Sequence, residues 1–266
     1  MNQLLNYTLH LADTTLILTQ RNGAWCGHGP ILEQDIAITN ITLDLIGQSR
    51  NFYQYAAKLI NQSTNLQSNQ SINKPTNETA TEDSLAYHRA EREFKNLLLV
   101  EQENGDWAHT IVRQFLYSVY QYLLFEKLQY SSTNEQLAAI AAKSLKEVTY
   151  HVKWSADWVI RLGDGTDESK ERMQKAMATL WQYTGEMFVP ADYEKGLAAE
   201  NIIPDVSLLK DAWMQKVKAV FEEATLSIPE NIFMQSGGKN GIHSEKLGYI
   251  LAELQYLQRV YPAAEW

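Results

Sequence analysis

An all-α bundle is the fold class this sequence predicts, and three observations carry it. Only 13 Gly and 6 Pro punctuate 266 residues, too few for the many turns that a sandwich or a run of short strands needs. Apolar residues recur at steps of three and four over helix-length segments, and no convincing step of two is found. One segment, 135–162, carries a seam in which the steps alternate strictly: Leu137, Ala141, Ser144, Val148, His151, Ser155, Trp158 and Leu162. A hydrophobic content of 45% allows a large core, and a single domain over 1–266 is expected, built as a four-helix bundle with additional helices.

The elements follow in order. A first helix places Leu5, Leu9, Ala12 and Leu16 on one stripe and stops before Asn22-Gly23, with a turn at Cys26–Pro30. A second, from Glu33 to about Ile60, buries Ile38, Ile41, Leu45, Phe52 and Ala56. Residues 61–82 are rich in Asn, Ser, Gln and Thr, which bury too little apolar surface to order themselves, so a mobile polar loop is predicted there. A third helix is read from Asp83 to Val100, and Asp106 is placed to cap a fourth with Ile111, Phe115, Val119 and Tyr122 inward. The fifth is the seam helix, for which a left-handed glycine in Gly163-Asp164-Gly165 is the expected stop. A sixth carries Met173, Met177, Leu180 and Trp181; the Pro190–Pro204 connection holds no major helix. Two more, at about 206–226 and 244–261, close the chain.

Charge and composition exclude several function classes. A net charge of −9 gives phosphate backbones no basic face to meet, so nucleic acid is not expected. No apolar run approaches a membrane span, and the segment 1–19 lacks a basic leader and carries Asp13 within its apolar stretch. The one cysteine, Cys26, forms no internal disulfide, so a cytoplasmic setting is expected. Cys26 and His28 in one Gly-rich turn are read as packing rather than as a nucleophile and its base. The Gly237–Gly241 loop lacks the Gly-Lys-Ser/Thr ending of a phosphate loop and is read as a turn.

Helical bundles of the ferritin-like class hold two metal ions with a Glu from each of two helices and a Glu-x-x-His from each of the others. This chain departs from that pattern. His151 lies on the seam, but Val148 stands three residues before it and Glu147 four before. Asp44 lies in a polar stripe, Asn40, Asp44, Gly47 and Asn51, with Gly47 where His would be wanted. Asp13 interrupts the first helix, and the fourth offers Ser118, Val119 and Tyr120 without an acid. Asp13, Asp44, Glu147 and His151 are therefore read as a degenerate site whose members neutralise one another, with no metal and no catalytic residue in this chain.

The strings AWCGHGP (24–30), LDLIGQSRN (43–51), NLLLVEQENGDWAHTIVRQF (96–115), KEVTYH (146–151) and GGKNGIHSEKLG (237–248) resemble the C subunits of bacterial phenylacetyl-CoA 1,2-epoxidases over nearly the whole chain. That resemblance implies a ferritin-like, non-catalytic structural subunit of a multicomponent monooxygenase in phenylacetate degradation. A catalytic A subunit would hold the di-iron centre and form a heterodimer with this chain that pairs further, and a flavin and iron–sulfur reductase would deliver electrons. It also directs attention to Glu93, Phe94, Lys95 and Asn96, beside Arg92, and to Glu194, Lys195 and Gly196 as peripheral acyl-CoA contacts. The competing readings are a self-sufficient di-iron oxidase using Asp13, Asp44, Glu147 and His151, and an acyl-CoA-binding helical module.

Overall fold

The computed structural model describes residues 3–68, 79–262 and 264, and the described residues are helical with no strand. In chain order the helices are α1 (Gln3–Gly23), α2 (Leu32–Ser68), α3 (Glu82–Tyr87), α4 (Leu98–Glu101), α5 (Trp107–Ser131), α6 (Glu135–Gly163), α7 (Asp167–Leu180), α8 (Asp192–Ala199), α9 (Lys210–Glu223), α10 (Glu245–Leu254) and α11 (Tyr256–Val260).

Four of these form the frame. Side-chain hydrogen bonds between α2 and α6 pair Gln34 with Trp154, Asp44 with His151, Gln48 with Glu147 and Tyr55 with Asn134, so these helices run antiparallel. Across the diagonal, Gln48 meets Gln121 and Phe52 meets Phe125, so α2 and α5 run parallel and are joined by residues 69–106. Antiparallel neighbours with one long crossover define the ferritin-like bundle. Ile38, Ile41, Leu45 and Phe52 of α2, Ile111 and Leu116 of α5, and Leu137, Ala141 and Val148 of α6 are essentially inaccessible and form its core. α7 and α9 pack on the α5–α6 side; α8 and α10 cover α1.

The predicted helix over 83–100 is broken. Only 82–87 and 98–101 are α-helical; between them the chain crosses α1 as a strap. Its backbone donors are taken by side chains elsewhere: Lys95 N donates to Asp13 (2.8 Å), Leu97 N to Thr14 (3.3 Å) and Leu98 N to Glu186 (2.9 Å). Those tertiary bonds replace the i→i−4 bonds a continuous helix would make, so apolar periodicity alone misleads here.

Three boundaries also differ. Of the polar stretch 61–82, residues 61–68 continue α2, with Ser63 and Thr64 hydroxyls bonding back to Leu59 and Ile60 carbonyls. The Asn61 amide exchanges two 2.9 Å bonds with the Ala80 backbone. Residues 69–78 of that loop lie outside the described residues. α1 runs through Asn22 to Gly23 because the Asn22 side chain is buried and bonded to Gln114 (2.7 Å). The α6 stop uses no left-handed glycine: Asp164 is the C-cap at φ −96, ψ 15. Glycine is needed at 163 for space, since a Cβ there would lie 2.4 Å from the Ala224 carbonyl oxygen. Gly163→Ala is expected to cost about 1–3 kcal/mol of overpacking, measured as a lower urea midpoint at unchanged slope.

Candidate functional site

Polar groups of α2, α5 and α6 form a chain of two amides ending on a carboxylate. Gln121 Nε2 donates to Gln48 Oε1 (2.9 Å), and Gln48 Nε2 donates to Glu147 Oε2 (2.8 Å). Gln48 and Gln121 are almost completely buried. One helical turn away, His151, fully buried, meets Asp44 through Nε2 at 3.0 Å, where Asp44 sits at the half-exposed edge of α2. Gln121 Oε1, Ser144 Oγ and His151 Nδ1 are buried without a hydrogen-bond partner.

This donor set does not fit a di-metal centre. Cations need converging lone pairs, whereas the two central residues turn amide N–H groups toward the available oxygens. Among the described residues no three His, Cys, Asp or Glu side chains group as metal ligands. Asp44, Glu147 and His151 come together along the α2–α6 contact; Asp13 does not join them. It bonds to Tyr53, nine residues beyond Asp44 and so about 13 Å farther along α2. The stripe containing Gly47 is also not the inward one. Gly47 has open space where its Cβ would be, and the core position is taken by Gln48. A Gln at i+4 from Asp44, and Gln121 in an otherwise apolar and aromatic run, are the sequence signals for the chain.

Asp13 is the centre of a separate polar cluster under the strap. Its carboxylate takes both terminal nitrogens of Arg89 (Nη1 at 3.1 Å), the Tyr53 hydroxyl (2.6 Å) and Lys95 N. Arg89 Nε also donates to Leu85 O (2.6 Å), and its guanidinium lies 4.2 Å from the Phe94 ring centroid. Burial opposes the Arg89 charge, but Asp13 and Tyr53 outweigh it and hold the group above its ordinary range. Burial raises the Tyr53 hydroxyl, with Asp13 adding to the effect.

The stretch 93–96 is therefore mostly interior. Phe94 and Asn96 are fully buried; Asn96 donates to Glu101 (2.9 Å), and Glu93 is exposed but folds back to accept from Ala90 N (2.6 Å). Lys95 is half-buried, its ammonium 5.7 Å from the Tyr193 ring centroid, so this stretch and 194–196 are neighbours. Glu194 is not a surface group either: it is 1% exposed and paired with the buried Lys239, at 2.9 Å. Lys195 is exposed beside Asp192 (2.9 Å), and the Gln3 side chain lies against Gly196. Of the seven candidates, Phe94, Asn96 and Glu194 thus serve internal packing and bonding, which their residue types alone did not reveal.

The Gly237–Gly241 loop is a clamp on the strap. Lys239 Nζ also reaches Met187 O (3.3 Å) and Val189 O (3.2 Å), while Gly237 N (2.7 Å) and Lys239 N (3.4 Å) donate to buried Glu186. Burial raises the Glu186 carboxyl, against those hydrogen bonds. A Cβ at Gly241, where φ is +77°, would lie 2.2 Å from Arg92 O, so only glycine fits. Cys26, read as packed, is exposed; Thr39 donates to its sulfur at 3.2 Å.

His243 completes the clamp and makes it pH-sensitive. Its Nδ1 faces Glu101 Oε2 (3.0 Å) and its Nε2 faces Phe94 O (2.9 Å), two acceptors that only the protonated ring can serve together. Burial works against that charge, but the bonds to Glu101 and Phe94 outweigh it and raise the pKa above 6.5. With the folded value raised, the stabilisation is complete below 6.5 and is lost as pH rises through the folded pKa. His10 has the opposite sign: burial lowers it to about 4, so it favours unfolding as pH falls from 6.5 toward 4. The stability difference between the wild type and His243→Gln, in which the His10 contribution cancels, is expected to shrink as pH is raised from 6 to 9 in urea titrations.

A family model described as phenylacetic acid catabolic protein matches residues 1–266, and the chain belongs to that family. Among its relatives is the C subunit of 1,2-phenylacetyl-CoA epoxidase from Escherichia coli (strain K12), 47% identical over 266 residues and covering 100% of both chains. The family agrees with the resemblance carried by the sequence strings. No helix among the described residues is long and apolar enough to cross a membrane.

Proposed function

We propose that this chain is a non-catalytic structural subunit of a multicomponent phenylacetyl-CoA 1,2-epoxidase in aerobic phenylacetate degradation, acting in the cytoplasm. It would hold a catalytic A subunit in its active shape, in a heterodimer that pairs again. The di-iron centre would belong to that partner, and the flavin and iron–sulfur groups to the reductase. The observation that carries the reading is the Gln121–Gln48–Glu147 chain: two inward positions of the bundle hold amides where a di-metal centre would need carboxylates or imidazoles, and their N–H groups are spent on Gln48 and Glu147 oxygens. The full-length likeness to the C subunit of an epoxidase supports the assignment to such a complex. Peripheral acyl-CoA contact is proposed for Lys95 and Lys195, the two cations of the candidate stretches whose side chains reach solvent.

The test is reconstitution. The A subunit produced with this chain should be soluble and, with reductase, should consume oxygen in the presence of phenylacetyl-CoA. The A subunit alone should aggregate or lose activity, because a subunit interface leaves apolar helix faces exposed when its partner is missing. Two irons per pure copy of this chain, with oxygen consumption by it alone, would overturn the proposal.

A further inference from the structure

α2 carries two apolar stripes, and only one is used by the bundle. The inner stripe is the core described above. The outer stripe consists of Leu32 (72% exposed), Ile36 (52%), Leu43 (62%) and Ile46 (37%), with Ile31 (52%) at its start. With half-buried Thr39 between them, positions 32, 36, 39, 43 and 46 step by four, three, four and three. A bundle helix normally turns a polar face to solvent. Here the outward face is itself a heptad seam about 21 Å long, the spacing that receives another helix. Gly47, one residue past its end, leaves open space where a side chain would stand.

Five large aliphatic side chains exposed along one helix face, rather than scattered singly, mark this face as one that another surface covers.

Charge selects the occupant. Along the stripe α2 contains Glu33, Asp35 and Asp44, and its first base, Arg50 just beyond Ile46, is paired with Glu82 at 2.8 Å. A helix lying on a lipid surface needs basic residues beside its apolar face, so a membrane is the wrong partner. A second copy is disfavoured as well, because a two-fold pairing on this seam would set those acids against their own copies. The complementary surface is a helix of a different chain, apolar at heptad spacing and flanked by Lys or Arg.

We infer that the outer stripe of α2, from Leu32 to Ile46, is the seam on which a basic-flanked helix of the catalytic A subunit docks. This rests on the functional reading above. The experiment uses the full chain and a tagged A subunit from the same source. Ile36→Glu/Leu43→Glu is expected to weaken the complex at least 100-fold by calorimetry, with circular dichroism and urea midpoint unchanged because both side chains face solvent. Tyr256→Glu/Leu257→Glu, on the exposed face of α11, is expected to bind as the wild type does. Independently of any variant, hydrogen–deuterium exchange of the wild type should show amides 32–47 gaining protection when the A subunit is added.

Wild-type binding with no loss in the α2 variant, or protection appearing on α10 and α11 instead, overturns the docking site and leaves the functional reading standing. Failure of the wild type to bind the A subunit overturns the functional reading itself. A homodimer of the pure wild type that the α2 variant dissolves would assign the seam to a second copy and overturn the choice of partner.

Discussion

Asp13→Ala is expected to lower stability by about 3–5 kcal/mol, because it leaves the Arg89 charge buried without its carboxylate. The loss extends past one ion pair. The same carboxylate holds Lys95 N and the Tyr53 hydroxyl, so the strap loses its anchor on α1 and α2 together. Urea denaturation measures the loss, and the double variant Asp13→Leu/Arg89→Met separates its causes. Replacing both charges removes the uncompensated guanidinium, so the double variant is expected to be more stable than Asp13→Ala alone. Equal instability of the two would assign the effect to packing under the strap instead.

Lys239→Met is expected to cost a similar amount, about 3–5 kcal/mol, for the mirror-image reason. Glu194 would remain buried with Ala191 N (2.8 Å) as its remaining donor, and the carbonyls of Met187 and Val189 would lose the ammonium that gathers them. Adding Glu194→Gln is expected to recover most of the loss, since a neutral amide tolerates the site better than a lone carboxylate. The recovery is read from the urea midpoints of the single and double variants. No recovery would mean that the lysine acts mainly through the two carbonyls.

The long elements are legible in the sequence because their signals are local. The seam of α6, the Asp106 cap of α5, whose carboxylate accepts from His109 N at 3.0 Å, and the inner stripe of α2 are each complete within one segment. The strap is not legible, because what breaks the helix is remote: Asp13 and Thr14 lie more than 80 residues before the backbone groups they bind. The sequence marks Asp13 as an inward carboxylate, yet placing it apart from Asp44, Glu147 and His151 requires knowing how far along α2 it packs. The sequence groups His151 and Asp44 with Asp13 and Glu147 without pairing them, and it is the structure that sets His151 against Asp44. Gln48 escapes a search for metal ligands because an amide is not among the residues sought. Glu194 and Asn96 are misplaced for a general reason: a buried polar group and a surface one look alike until the partner, here Lys239 or Glu101, is found.

The strap also imposes an order on synthesis. Arg89 closes on a carboxylate made 76 residues earlier, His243 closes on a strap carbonyl 149 residues before it, and Gln255 bonds the Arg89 carbonyl at 3.1 Å. At ~5–20 residues per second, an emerging chain carries α1 for several seconds before its buried acid has a counterion. The α1–α2 hairpin can form in that interval, but Asp13 must stay hydrated until the strap arrives, and the strap lacks its clamp until residues 237–243 have left the ribosome. Polypeptides ending before residue 237 are therefore expected to be held open at this end of the bundle, where chaperones and proteases find them first.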